Sequence, residues 1–276
     1  EGIEEATVLR AGGASGVGVY AIGADPYFDR PTLYGEAGGD YADNARRFTF
    51  FCRATLAAID RLGLEPEVVH CHDWQTALVP AYLRAGILTG DAAAASAAKL
   101  ARAAVVFTAH HLSYQGIFPS SEFAVTGLPR GLYSAEGLEF YGQVNLLKAG
   151  LFFADHITTA SPRYAREIRT PEQGCGLEGV LHERSAEVTG ILNGIDDAVW
   201  NPATDRHLAA CYSAADLRGK RRCKADLVVE LDLDADLEAP IAAATAPLTP
   251  QKGYDLLLEA LAALVERGLR VVVLGE

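Results

Sequence analysis

The sequence predicts an α/β fold in which strands and helices alternate around a parallel sheet. Short apolar runs recur at VGVYAI (17–22), EVVHCH (67–72), AVVFTAH (104–110), HITTAS (156–161), a weaker EVTGIL (187–192), IAAATA (241–246) and LRVVVLG (269–275). Most lack strict polar and apolar alternation, as strands covered by helices on both faces do. Stretches of helical periodicity lie between them, which is the pattern of βα units.

The helices follow in order. From Asp43 to Leu62, apolar residues recur at Phe48, Phe51, Cys52, Thr55, Ile59 and Leu62, with arginines opposite and Gly63 as the stop. Gln143–Ala154 is apolar nearly all round, with Lys148 its only full charge, and reads as a core helix. Ser161-Pro162 reads as an N-cap followed by proline at the first helical position. Asp255–Arg267 carries Leu257, Leu261, Leu264 and Val265 on one face before Gly268. Residues 111–142, rich in Gly, Pro, Ser and aromatics, read as a long functional loop. Residues 171–186 and 194–223 read as irregular, and the alanine-rich 91–103 as a surface helix or mobile insertion.

Composition narrows the function. At 276 residues the chain is long enough for two domains. Its formal net charge of −12 repels phosphate backbones and argues against nucleic acid as a partner, while leaving room for one local basic pocket. No apolar run approaches the ~20 residues of a bilayer span, so no membrane partner is expected. The 5 cysteines are scattered, with no CxxC pair, which points to a reducing, cytoplasmic compartment. The first residues, EGIEEATVLR, have no signal-peptide character, there is no methionine, and LRVVVLGE reads as an interrupted strand. These features suggest an internal fragment.

Three constellations can carry chemistry. His70 and His72 bracket Cys71 at one strand end, and His110-His111 close another. In parallel sheets, ligands bind beyond the carboxyl ends of the strands, so these histidines, with Asp73 and Trp74, are placed for a site. A zinc site from His70, His72 and His110, hydrogen-bonded core histidines, and a polar small-molecule pocket are the alternatives. No structural metal is expected. LTPQKG (248–253), between a strand and a helix, offers backbone N–H groups and Lys252 to an anion. ILNGID (191–196) carries an Asn-Gly turn between the two βα series, a natural hinge. GxxxxGK[ST], GxSxG and HExxH are all absent from the sequence.

Long colinear runs carry a resemblance. They are DPYFDRPTLYG (25–35), DYADNARRFTFFCRA (40–54), VVHCHDWQTALVPAYL (68–83), FTAHHLSYQGIFP (107–119), a run from Glu139 to Leu181, GILNGIDDAVWNPATD (190–205) and LTPQKGYDLLLEAL (248–261). In this order they resemble bacterial glycogen synthases and plant starch synthases. The resemblance implies a GT-B architecture of two Rossmann-like lobes. Residues 1–193 would be the acceptor-side lobe, and 194–276 a linker with the first part of an incomplete nucleotide-sugar lobe. It implies retaining transfer of glucose from ADP-glucose, a donor substrate and not a cofactor, to the non-reducing 4-OH of an α-1,4-glucan. His110 then matches the histidine near the transferred glucose, and Lys252 a lysine on the diphosphate. Asp73, Tyr114, Asn193 and Gly194 match substrate-binding positions.

The sequence also departs from the family pattern. His111 stands where an asparagine is usual, Ala246 where a glycine is, and Pro247 where an arginine would flank the diphosphate. Proline supplies neither charge nor N–H. A lysine-glycine-glycine segment and a C-terminal glutamate of the family are not in the chain. Two other readings therefore stand beside the synthase: a degenerate, non-catalytic glucan-binding protein, and a GT-B glycosyltransferase with another donor or acceptor.

Overall fold

The structure, a computed structural model, describes residues 5–12, 16–36, 39–87, 100, 102–233 and 236–275. The chain divides into two compact units, Glu1–Asn193 and Gly194–Glu276.

The first unit opens with β1 (Thr7–Gly12) and β2 (Gly18–Gly23), the one-turn helix α1 (Asp25–Phe28), and a short ladder of β3 (Gly35–Glu36) and β4 (Gly39–Asp40). Helix α2 (Asn44–Arg61) leads to β5 (Val68–His72), then α3 (Asp73–Thr76), α4 (Leu78–Arg84) and β6 (Ala104–Ala109). Next come β7 (Ile117–Pro119), β8 (Glu139–Phe140), β9 (Gln143–Asn145), α5 (Leu146–Phe153), β10 (His156–Thr159), α6 (Tyr164–Glu167), α7 (Glu178–Glu183) and β11 (Val188–Gly190).

Four of these strands form the expected parallel sheet, in the order β11-β10-β6-β5. The inner strands β6 and β10 are buried, and Phe107 and Ile157 pair across them with no exposed surface. At the sheet's edge, β5 departs from burial on both faces: Val68 is 54% exposed. The run at 17–22 is a strand but lies outside this sheet. It pairs antiparallel with β1, a strand that polar Thr7 and Arg10 hid from the sequence pattern.

Residues 111–142 are more ordered than a loop. They contribute β7 and β8 to a three-stranded antiparallel sheet, order β7-β9-β8, with 3₁₀ turns at Ser120–Thr126 and Arg130–Leu132. Strands of two or three residues are too short to show a period. The predicted helix from Gln143 begins only at Leu146, because Asn145 caps it: its Oδ1 accepts the Lys148 N–H at 2.9 Å. Lys148 is buried, and its ammonium donates to the Ala135 and Glu139 carbonyls at 2.7 and 2.5 Å. Burial pushes its pKa down.

In α2 the buried line is Phe48, Cys52 and Leu56, while Leu62 is exposed. Arg47 is also buried, against the expectation that the arginines face away. Its guanidinium donates to the Tyr27 and Leu33 carbonyls and to Asn44 Oδ1. Ser161 caps the following turn through Oγ, which accepts the Tyr164 N–H at 2.9 Å, and α6 is a single turn. The stretch 171–186, read as irregular, contains α7. Most of 91–103 lies outside the described residues.

The second unit holds α8 (Arg218–Glu230), β12 (Ile241–Thr245), α9 (Tyr254–Glu266) and β13 (Arg270–Leu274). β12 and β13 pair in parallel around the connecting α9. Helix α8 begins inside the stretch read as irregular. Its RGKRRCK start shows no apolar stripe, and only Val228 is buried along it. Among the described residues, no helix is long and apolar enough to cross a membrane.

Helix α5 rests flat on β6 because Gly150 has no side chain. A Cβ there would lie 2.4 Å from two carbons of the fully buried Phe107 ring. Overpacking of this kind costs about 1–3 kcal/mol. Gly150→Ala is expected to lower unfolding stability by that amount in urea titration. A change below about 0.5 kcal/mol would show that the ring can retreat.

Candidate functional site

The site is built where β5 and β6 end. Their last ladder pair is His72 with Thr108. Beyond it the chain turns at Asp73 directly into α3, and Asp73 takes φ 54°, a conformation that aspartate tolerates better than most residues. That turn aims its carboxylate across to the neighbouring strand end, where Oδ1 accepts the backbone N–H of His110 at 2.8 Å. Thr76 Oγ1 accepts the His72 N–H at 2.7 Å and closes the turn from behind.

Three imidazoles line this edge. His72 Nδ1 lies 3.0 Å from His110 Nε2, with the rings stacked at 17°. The His70 ring is 4.2 Å from that of His72, and its Nε2 bonds Thr108 Oγ1 at 2.7 Å. His110 is exposed at the strand's end and not packed in the core. Desolvation, then the neighbouring charges of His70 and His110, lower the pKa of His72, with Asp73 opposing them. Among the described residues, no group of three or more His, Cys, Asp or Glu side chains is arranged to hold a metal ion. His70 instead turns to threonine, and His72 and His110 turn to each other.

The loop after β6 is braced from below. Gly116, at φ 61°, passes so close to the buried Trp74 that a Cβ would lie 2.4 Å from its ring. Trp74 in turn meets Phe48 edge-on at 4.6 Å. Gln115 is buried, and its Nε2 donates to the Leu112 and Cys175 carbonyls at 2.9 and 3.0 Å, while Oε1 accepts from Asn145 Nδ2. Tyr164 receives the Leu112 N–H on its hydroxyl at 3.1 Å. The rings of His111 and Tyr114 are 5.7 Å apart, and Tyr114 is exposed.

Of the residues singled out from sequence, the structure brings Asp73 and His110 into direct contact and places Tyr114 on the same loop. Asn193 and Gly194 are exposed residues on either side of the division between units. Lys252 belongs to the second unit, exposed in a 3₁₀ turn whose last residue is followed by Gly253 at φ 73° and α9. Gln115 and Tyr164 had not been picked out. For Gln115 the signal was available: a buried amide inside an apolar, glycine-flanked run must be satisfied.

A parallel α/β sheet with polar side chains gathered beyond its strand ends defines a Rossmann-like domain. The chain belongs to the starch synthase catalytic domain family, whose model matches residues 2–183. It is 48% identical over 267 residues to glycogen synthase 2 of Geobacter sulfurreducens, covering 97% of this chain and 54% of that protein. With a glycogen synthase of Anaeromyxobacter it shares 49% over 258 residues, 93% of this chain and 53% of the relative. A solved structure described as the catalytic domain of starch synthase IV from Arabidopsis thaliana bound to ADP and acarbose superposes with TM-score 0.82 at 35% identity. That match covers 98% of this chain and 57% of the other. The fold is therefore α/β of the GT-B type, and the chain spans about half the length of the curated relatives it matches.

Replacing Gln115 by leucine would orphan the buried Asn145 amide and two carbonyls. Each buried orphan costs about 1–3 kcal/mol. Gln115→Leu is expected to lower the melting temperature by roughly 5–10 °C. A shift under about 2 °C would show that water replaces the amide.

Proposed function

We propose that this chain is part of an ADP-glucose-dependent glycogen or starch synthase, a retaining glucosyltransferase that extends α-1,4-glucans at the non-reducing 4-OH. The observation that carries this reading is His110, exposed at a strand's carboxyl end with its backbone fixed by Asp73. Support comes from relatives named glycogen synthase and from a structural neighbour holding ADP and acarbose. In this reading Glu1–Asn193 serves the acceptor glucan, and Gly194–Glu276 begins the nucleotide-sugar part. His110 hydrogen-bonds the transferred glucose, Asp73 and Tyr114 line its site with Asn193 and Gly194, and Lys252 neutralises the departing diphosphate. The five cysteines, all free, suit a cytoplasmic setting.

The chemistry asks for preorganised positive charge, because a diphosphate leaves as an oxocarbenium-like centre forms. Rigidity on the glucan side is supplied by the Asp73 and Gln115 contacts, which hold His110 and its loop without a substrate present. Charge on the donor side is thin, since Pro247 offers neither a cation nor an N–H. That residue favours the second reading, a glucan-binding protein without turnover.

One experiment separates these readings. Labelled glucose incorporation from ADP-glucose into glycogen is measured beside glycogen binding. Loss of one charge-stabilising donor typically costs about 100- to 1000-fold in rate. With Pro247 in place and about half the relatives' length present, incorporation by these 276 residues alone is expected below detection, while glycogen binding persists. Incorporation that vanishes in His110→Ala would instead show a competent enzyme and a tolerated Pro247. Absence of both binding and incorporation would overturn both readings, and consumption of UDP-glucose but not ADP-glucose would point to another GT-B transferase.

A further inference from the structure

We propose that Cys211 and Cys223 form a redox pair, closed to a disulfide by hydrogen peroxide, that fastens the segment before α8 onto that helix. The inference stands apart from the proposed function and concerns the second unit alone.

Three contacts set residues 210–212 against the first turns of α8. Gly219 has no side chain, and a Cβ there would run into the Cys211 carbonyl oxygen. The glycine therefore lets the backbone of Cys211 lie directly on the helix. The Lys220 ammonium sits 5.0 Å from the centre of the Tyr212 ring. The Cys223 thiol donates to the Ala210 carbonyl at 3.1 Å. Away from the helix, the Tyr212 N–H donates to the Pro202 carbonyl at 3.0 Å and holds the segment in place.

Two cysteines that stand 12 residues apart in sequence are brought together by these contacts. Residues 219 and 223 are one helical turn apart on one face, so the backbone that Gly219 admits is the one that Cys223 reaches. The Ala210 oxygen belongs to the planar peptide leading into Cys211 and lies about 2.8 Å from the Cys211 Cα. The Cys223 sulfur is thus within about 6 Å of that Cα. In a disulfide the partner sulfur stands about 4 Å from a cysteine Cα, so closure asks for side-chain rotation and little backbone movement. The Cys211 sulfur is free to turn, because its contact with the Asp205 carbonyl is long, at 3.9 Å.

Exposure assigns the order of events. Cys211 is exposed and Cys223 partly covered, so Cys211 meets the oxidant first. Its thiolate attacks one peroxide oxygen, the O–O bond breaks, and a sulfenic acid and hydroxide result. The Cys223 thiolate then attacks the Cys211 sulfur, the S–S bond forms, and a second hydroxide leaves. Two electrons pass from the thiols to the peroxide, and with the two thiol protons the products are one disulfide and two waters. Among the described residues, Val228 and Ala239 are the only buried apolar side chains of this unit. A unit with so little core gains much from a covalent staple.

Peroxide treatment of the reduced 276-residue protein tests this. Thiols counted under denaturing conditions are expected to fall from five to three. Trypsin without reductant should then release residues 207–218 joined to Cys223–Lys224. Cys175→Ser should leave that product unchanged, and in Cys223→Ser a dimedone-type trap should capture the Cys211 sulfenic acid. Proteolysis of the folded protein within 201–222 should slow by about tenfold or more on oxidation, and recover with a dithiol reductant. Five thiols remaining, thiols lost without that linked peptide, or linkage to Cys175 or to a second chain would each overturn the proposal. The linked peptide with unchanged proteolysis would overturn the fastening role. No readout depends on glucose transfer, so failure here leaves the functional reading untouched.

Discussion

One backbone amide organises this site. Where the β5–β6 ladder ends at His72 and Thr108, the N–H of His110, just past the end of β6, lies beyond the last ladder pair. Asp73 supplies the missing acceptor from its side chain, and it reaches there because the chain turns at that residue with φ 54°. This satisfaction of a backbone donor ties the strand-to-helix turn after β5 to the end of β6. A residue with a longer or branched side chain at 73 would meet the same demand with more backbone strain, or leave it unmet.

The second layer of order is polar and buried. Gln115 ties its own loop to the cap of α5 through Asn145 and to the Cys175 turn, and Lys148 from that same helix holds two carbonyls near β8. Such networks rigidify when complete and are costly when one member is missing. Here they tie down the loop carrying His111 and Tyr114. A site for a reaction governed by charge placement benefits from being built beforehand and not on binding. The buried thiols Cys52 and Cys71, each pushed up to about 12, lie outside this chemistry and act as small core residues.

Legibility in the sequence tracked element length and chemistry. β6, β10 and β12 were visible because valine, phenylalanine, isoleucine, alanine and threonine cluster there in runs, and α9 because its leucines repeat. The strands β7 to β9 were not, since two or three residues cannot express a period of two. Helix α8 was masked by five basic residues in its first seven positions, so its register came from the fold and not from an apolar stripe. Asp73 and His110 stood out by their place in the HCHDWQ and AHH runs. Their contact with each other, and that of His72 with His110, depends on the β5–β6 register, which no local pattern encodes.

In the second unit, the residue at 247 can change without a change of fold. The turn before α9 is held by Ala246 N–H on the Leu274 carbonyl, Tyr254 hydroxyl on the Ala246 carbonyl, and Thr249 N–H on the Pro247 carbonyl, at 3.1, 3.0 and 2.8 Å. None of these bonds uses a donor on residue 247, and Pro247 itself is exposed. Proline therefore fits the turn without loss of a bond. What proline does not supply there is a cation or an N–H, at the edge of a turn that carries Lys252. In a chain of net charge −12, any anion meets long-range repulsion. Local cations must overcome that repulsion, so the loss of one matters more here than on a neutral protein. Residue 247 is thus a point where surface charge is decoupled from stability, and where the proposed synthase and glucan-binding readings diverge.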